Sequence, residues 1–92
     1  MIRTQVNPAL KVTYRNVKIP GGYVGFAHQD EGLIEIDPRQ SEREYLLTLC
    51  HEWLHILLPT VSERNICRIE KSLGGMLWRR GYRLKKKRKR AF

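Results

Sequence analysis

The chain has 92 residues, which is the size of one small domain. Hydrophobic residues make up 41% of it, and no apolar run is long enough to span a membrane. Two cysteines are too few for a disulfide-stapled secreted protein, and the first residues lack the apolar stretch of a secretory signal. These features predict an intracellular protein in a reducing compartment.

The net charge of +9 is concentrated at the C-terminus. Residues 79–92 contain nine Lys and Arg and no acid, which leaves nine cations and nine acids in residues 1–78. This distribution favours a domain (residues 1–84) whose first 78 residues are neutral, with a basic tail (residues 85–92), over a nucleic-acid-binding fold with a basic face. We expect the tail to be disordered, and Lys85–Arg90 could contact nucleic acid non-specifically. The alternatives are that the tail is only a solvated extension, or that it docks to an acidic protein or membrane surface.

Three short segments in the first half have the pattern of β-strands. Apolar and polar residues alternate over residues 10–15, and residues 23–28 and 33–37 are further strand candidates. The polar loop between the last two is of hairpin length and ends in Gly32. This half is therefore predicted to form a small antiparallel sheet of about three strands.

The second half has the pattern of two helices. Ser41 and Glu44 form a capping box, and apolar residues at helical spacing follow until Pro59. The pattern resumes over residues 62–80, where the pair Gly74-Gly75 predicts a kink or a close backbone contact. The predicted fold class is thus α+β, a small antiparallel sheet packed on a helical hairpin that carries the metal site.

The first predicted helix contains an HExxH motif, His51-Glu52-Trp53-Leu54-His55. Residues four apart lie on one helix face, so the imidazoles of His51 and His55 can bind one Zn²⁺. Glu52 is rotated about 100° from His51 and can reach a water molecule on that ion. Zinc lowers the pKa of such a water to roughly 7, and the Glu52 carboxylate can pass its proton to a leaving amine. The alternative, two ordinary surface histidines, is disfavoured by the apolar helix around them.

A catalytic zinc site usually has three protein ligands and one open position. The connection between the predicted helices is short, so they should form an antiparallel hairpin. This arrangement places Glu63 near His55, and Glu70, about two turns further along, near His51. The candidates for the third ligand are Glu63, Glu70, Cys67 and His28.

Glu63 is the leading candidate, although it could instead close a capping box that begins at Thr60. Glu70 could be the ligand, a solvated or ion-paired charge, or a carboxylate that orients the His51 imidazole. Cys67 is expected in the core, where it and Cys50 would act as small apolar side chains and not as a disulfide.

Several segments together resemble small phage and prophage HExxH proteins, which are similar to ImmA/IrrE-type and minimal gluzincin-like metallopeptidases. The resemblance spans roughly residues 20–82 and is carried by Gly25-Phe26-Ala27, Ile34–Pro38, Ser41 with Glu44, Leu46–His55, and Pro59 with Ser62-Glu63. In that group the HExxH helix packs on a small sheet whose edge strand faces the cleft, and a glutamate on the following helix completes the zinc site. The resemblance therefore implies one Zn²⁺ per chain, held by His51, His55 and Glu63, with Glu52 as the catalytic acid/base.

The resemblance further implies a peptidase, encoded by a phage or prophage, that acts on an extended protein segment in the bacterial cytoplasm. Residues 34–37 precede the zinc helix, and an exposed strand edge there could pair with the substrate backbone. An oxyanion donor besides zinc is needed, for which His28 and Tyr23 are candidates. The alternatives are a protein with structural or regulatory zinc, and a nucleic-acid-associated module that uses the basic tail.

Overall fold

The computed structural model describes residues 11–83, which form a small α+β fold of three strands and two helices, as predicted. The elements are β1 (Thr13–Asn16), β2 (Gly25–His28), β3 (Leu33–Ile36), α1 (Glu42–Leu57) and α2 (Glu63–Arg79). Within this part of the chain no helix is long and apolar enough to cross a membrane. Residues 85–92 lie outside the described residues, so the disorder expected for the basic tail stays a prediction.

The sheet is mixed, with the strand order β1-β3-β2. β2 and β3 form the predicted antiparallel hairpin, whereas β1 runs parallel to β3, which corrects the expected all-antiparallel arrangement. β3 takes the central position because it is the most apolar strand, and its Ile34 and Ile36 are buried completely or nearly so. Alternation along a strand predicts which side chains share a face, but it does not predict which strands are neighbours.

Both helices begin at serine caps. The Ser41 hydroxyl accepts a hydrogen bond from the Glu44 amide at 3.2 Å, and the Ser62 hydroxyl accepts one from the Asn65 amide at 3.2 Å. α2 ends at Arg79 and is followed by Gly81, whose φ of +92° suits a residue without a side chain. The predicted helix limits are thereby confirmed to within a residue or two.

α1 is the middle layer of the fold. It packs on β2 and β3 on one side and on α2 on the other, and α2 does not contact the sheet. Gly74 lies where the helices meet, because a Cβ at that position would be 2.5 Å from Cδ2 of Leu47. The glycine in this position therefore serves a close contact between helices, one of the two outcomes that the sequence predicted.

Candidate metal centre

His51 and His55 lie one turn apart on α1 and converge with Glu63, the first residue of α2. Their Nε2 atoms are 3.2 Å apart. Glu63 places Oε1 2.8 Å from Nε2 of His55 and Oε2 2.9 Å from Nε2 of His51. In a tetrahedral zinc site with ligands at about 2.0–2.1 Å from the ion, neighbouring ligand atoms lie about 3.3 Å apart. The three side chains thus fit a zinc ion with only small shifts.

Glu63 is available to the histidines because of how α2 begins. Ser62 is the N-cap and Glu63 is the first helical residue, so the alternative capping box from Thr60 does not form. Partial desolvation raises the pKa of Glu63, but the neighbouring His51 and His55 outweigh it and leave that pKa below its usual value. The carboxylate is therefore kept in the charged form that a cation requires.

Glu70 occupies the other side of the His51 ring. Its Oε1 accepts a hydrogen bond from Nδ1 of His51 at 2.8 Å. A proton held on Nδ1 leaves the lone pair on Nε2, which faces His55 and Glu63. Glu70 is thus placed to orient the imidazole, and its contact is with the nitrogen that points away from the other ligand candidates.

Cys67 lies at the border of this cluster and is only half-buried, so it is not the core residue that the sequence predicted. Its thiol donates to Oε2 of Glu63 at a sulfur–oxygen distance of 3.7 Å. His51, Glu63 and Cys67 offer ligand atoms within 4.8 Å of one another, and this group could hold a metal ion. Desolvation and the charges of Glu63 and Glu70 raise the pKa of Cys67, which disfavours the thiolate form that binds metals.

Glu52 lies between the two histidines in sequence and points toward β2. Its side chain is buried, and desolvation raises the pKa of its carboxyl. A Cβ on Gly25 would be 3.0 Å from Oε2 of Glu52 and 2.7 Å from Cγ2 of Thr48. Gly25 therefore lets β2 approach the helix at the level of the glutamate, which is a common reason for a glycine inside a strand.

A cleft of about 790 Å³ opens between β2 and the HExxH face of α1. Its walls include Gly25–Ala27 on β2, His51, Glu52 and His55 on α1, and Glu63 and Glu70 on α2. β3 has neighbours on both sides, so the exposed edge predicted at residues 34–37 does not exist. Among the described strands, β2 is the edge that borders the cleft, because it pairs with β3 alone.

The two candidates for an oxyanion donor have different surroundings. His28 lies on the face opposite Gly25, and its Nε2 is 2.9 Å from Oε1 of Glu35, which also binds Arg15. It is therefore neither a metal ligand nor an oxyanion donor in this arrangement, which corrects both expectations. Tyr23 lines the cleft and is 61% exposed, so it stays a candidate donor.

No protein-family model, curated protein or solved structure matches this chain. The resemblance to phage and prophage HExxH proteins stays a prediction from the sequence.

Proposed function

We propose that this protein is a zinc metallopeptidase that hydrolyses a peptide bond in an extended protein segment. The observation that carries the proposal is the convergence of His51, His55 and Glu63 within 3.2 Å beside the buried carboxyl of Glu52. Two imidazoles and one carboxylate are a donor set that suits zinc and leaves one coordination position open. A zinc ion held there would act as a Lewis acid and lower the pKa of a water molecule in the cleft.

Glu52 is proposed to move the proton. Its carboxylate can accept a proton from the attacking water and donate it to the leaving amine. Burial favours the protonated form of Glu52, which the second half of that transfer requires. Glu70 supports the step indirectly, because its hydrogen bond at 2.8 Å fixes the ring of His51.

The substrate is proposed to bind as an added strand along β2. The backbone of an edge strand offers hydrogen bonds to any extended peptide, whatever its side chains. Because Gly25 lies directly against Glu52, a peptide bond paired with this part of β2 would lie close to the proposed catalytic group. The resemblance to phage and prophage proteins supports a substrate in the bacterial cytoplasm.

Replacing Glu52 with glutamine tests the mechanism. Glutamine keeps the shape of the side chain but cannot accept the proton, so we expect Glu52→Gln to lower kcat/KM on a peptide library by about 10²–10⁴-fold. Bound zinc, measured by elemental analysis, and the helical circular dichroism signal should match those of the wild type. Glu31→Gln, an exposed glutamate in the β2–β3 turn, is the matched control and should retain full activity.

Two results would contradict the proposal in different ways. Undiminished hydrolysis by Glu52→Gln would remove Glu52 from the mechanism. A wild-type protein that binds one zinc per chain but cleaves no peptide in the library would instead support a structural or regulatory zinc site, the first alternative considered above.

A further inference from the structure

The outward face of α2 carries a row of cations that we call the basic stripe. Its members are Arg64, Arg68, Lys71 and Arg79, all of them exposed. At about 100° per residue these positions fall within an arc of about 80°, so they share one face of the helix. None of the ion pairs within residues 11–83 involves any of them.

Gly75 occupies the position between Lys71 and Arg79 on that face, where it leaves room for the side chain of Arg79. A Cβ at Gly75 would be 3.2 Å from Nη1 of Arg79, so the Arg79 guanidinium lies back along the helix over the glycine. The charged end of Arg79 is thereby about one turn closer to Lys71 than its Cα is. The stripe thus presents its cations at regular intervals of about one turn, from position 64 to position 75.

The neutral charge count of residues 1–78 conceals this surface, because the balancing acids face elsewhere. On α2 itself, Glu63 and Glu70 turn into the metal centre, about 120° around the helix from the stripe. In the sheet layer, Asp37 is buried and bound to Arg39. Counting charges along the sequence therefore argued against a basic face that the fold in fact creates.

We propose that the basic stripe binds the phosphate backbone of a nucleic-acid duplex. Three of its four cations are arginines, whose planar guanidinium groups bind phosphate with paired hydrogen bonds. No aromatic side chain lies in the stripe, so it offers no platform for base stacking, and the proposed contacts are with the backbone phosphates. Lys85–Arg90 follow α2 in the sequence and add cations of the same kind. The stripe and the metal centre lie on different faces of α2, so bound nucleic acid leaves the cleft open.

An anionic membrane surface fits this helix less well. The exposed apolar residues of α2, Ile69, Leu73 and Met76, form a separate row. That row lies about 130° around the helix from the centre of the stripe. A helix that lies on a membrane needs its apolar side chains to enter the bilayer while its cations meet the headgroups on the same side. Here the two rows face different directions, which favours a purely electrostatic partner.

The test measures binding of the full-length chain to a 20-base-pair DNA duplex of mixed sequence by fluorescence anisotropy at increasing NaCl concentration. The variant Arg64→Gln/Arg68→Gln/Lys71→Gln removes three charges from the stripe. The matched control Lys11→Gln/Lys18→Gln/Arg43→Gln removes three exposed charges from other parts of the chain. Each phosphate contact contributes about 0.9 to the slope of log K against log salt, so the stripe variant should lower that slope by about 2.7. The control should lower the slope by less than about 0.9, the value for one phosphate contact.

Several outcomes would overturn the proposal. If the two triple variants lower the slope equally, only the net charge of the chain matters. If the stripe variant has the slope of the wild type, the binding belongs to the tail. Undetectable binding of the wild type would remove the proposal altogether. Loss of binding to phosphatidylserine vesicles by the stripe variant, with wild-type DNA binding retained, would identify a membrane surface. Arg64→Gln and Arg68→Gln, each expected to lower the slope by about 0.9, keep the test decisive if the triple variant does not fold.

Discussion

At the scale of single residues, the role of Glu70 depends on which nitrogen of His51 it contacts. The sequence left open whether Glu70 binds the metal, lies on the surface or orients the imidazole. In the structure it contacts Nδ1 at 2.8 Å, while Glu63 contacts Nε2 at 2.9 Å. A carboxylate on the far nitrogen fixes the ring and makes the near nitrogen a better ligand. The two glutamates should therefore differ in what their loss does to metal binding.

We expect Glu70→Gln to weaken zinc binding by about 10–100-fold, which is typical for the loss of a carboxylate that supports a histidine ligand. Glu63→Gln should weaken it more, because it removes a proposed ligand. Competition against a chromogenic zinc chelator measures both, with Asp30→Asn in the exposed β2–β3 turn as the control. Equal losses in Glu70→Gln and Glu63→Gln would make Glu70 a ligand, and no loss in Glu70→Gln would leave it without a role at the site.

At the scale of elements, α2 divides its surface among three tasks. One face packs on α1 through Gly74, the adjoining positions bring Glu63 and Glu70 to the histidines, and the outer face carries the basic stripe. The neighbouring glycines 74 and 75 belong to different faces, since successive residues are about 100° apart. The same substitution at the two positions should therefore have opposite effects on stability.

Gly74→Ala should destabilise the fold and Gly75→Ala should not. Both variants gain about 1 kcal/mol of helix propensity. At position 74 the new Cβ would be 2.5 Å from Cδ2 of Leu47, whereas at position 75 its only near neighbour among residues 11–83 is the movable end of Arg79 at 3.2 Å. Because propensity cancels in the comparison, the variants should differ by the overpacking cost, about 1–3 kcal/mol. Urea unfolding followed by circular dichroism gives this difference, and equal stabilities would show that α1 and α2 are not in close contact at Gly74.

The helices were more predictable than the sheet because their signals are local. Serine caps, Pro59 and Gly81 mark the helix ends within a few residues of chain, and HExxH fixes its own geometry through one helical turn. The position of β3 between β1 and β2 depends on contacts that short strands do not encode. For the same reason no local pattern indicated that His28 would turn away from the cleft, or that the edge beside the HExxH helix would be β2.

At the scale of the whole molecule, the apolar core is small and the metal centre takes up part of the interior. Within residues 11–83 only five apolar side chains are buried: Ile19, Ile34, Ile36, Leu54 and Ile66. Glu52 is buried beside them, and His51 and Glu70 are largely covered. Polar groups in such positions cost stability unless they are paired. Two of the proposed zinc ligands come from α1 and one from α2, so a bound ion would join the two helices.

Removing zinc should therefore lower the melting temperature. A ligand at 100 times its dissociation constant stabilises the folded state by about 2.7 kcal/mol. For a domain of 60–100 residues each kcal/mol shifts the melting temperature by about 4–8 °C, so we expect EDTA to lower it by about 10–20 °C. Scanning calorimetry with and without EDTA measures the shift, and added Zn²⁺, but not Mg²⁺, should reverse it because imidazole is a poor ligand for Mg²⁺. His51→Ala, which lacks one proposed ligand, is the control and should melt at nearly the same temperature with and without the chelator.

An unchanged wild-type melting temperature, with no zinc found by elemental analysis, would remove the metal centre and with it the proposed hydrolysis. The basic stripe would stand, since its cations lie on a different face of α2 from the metal centre and need no ion to be exposed.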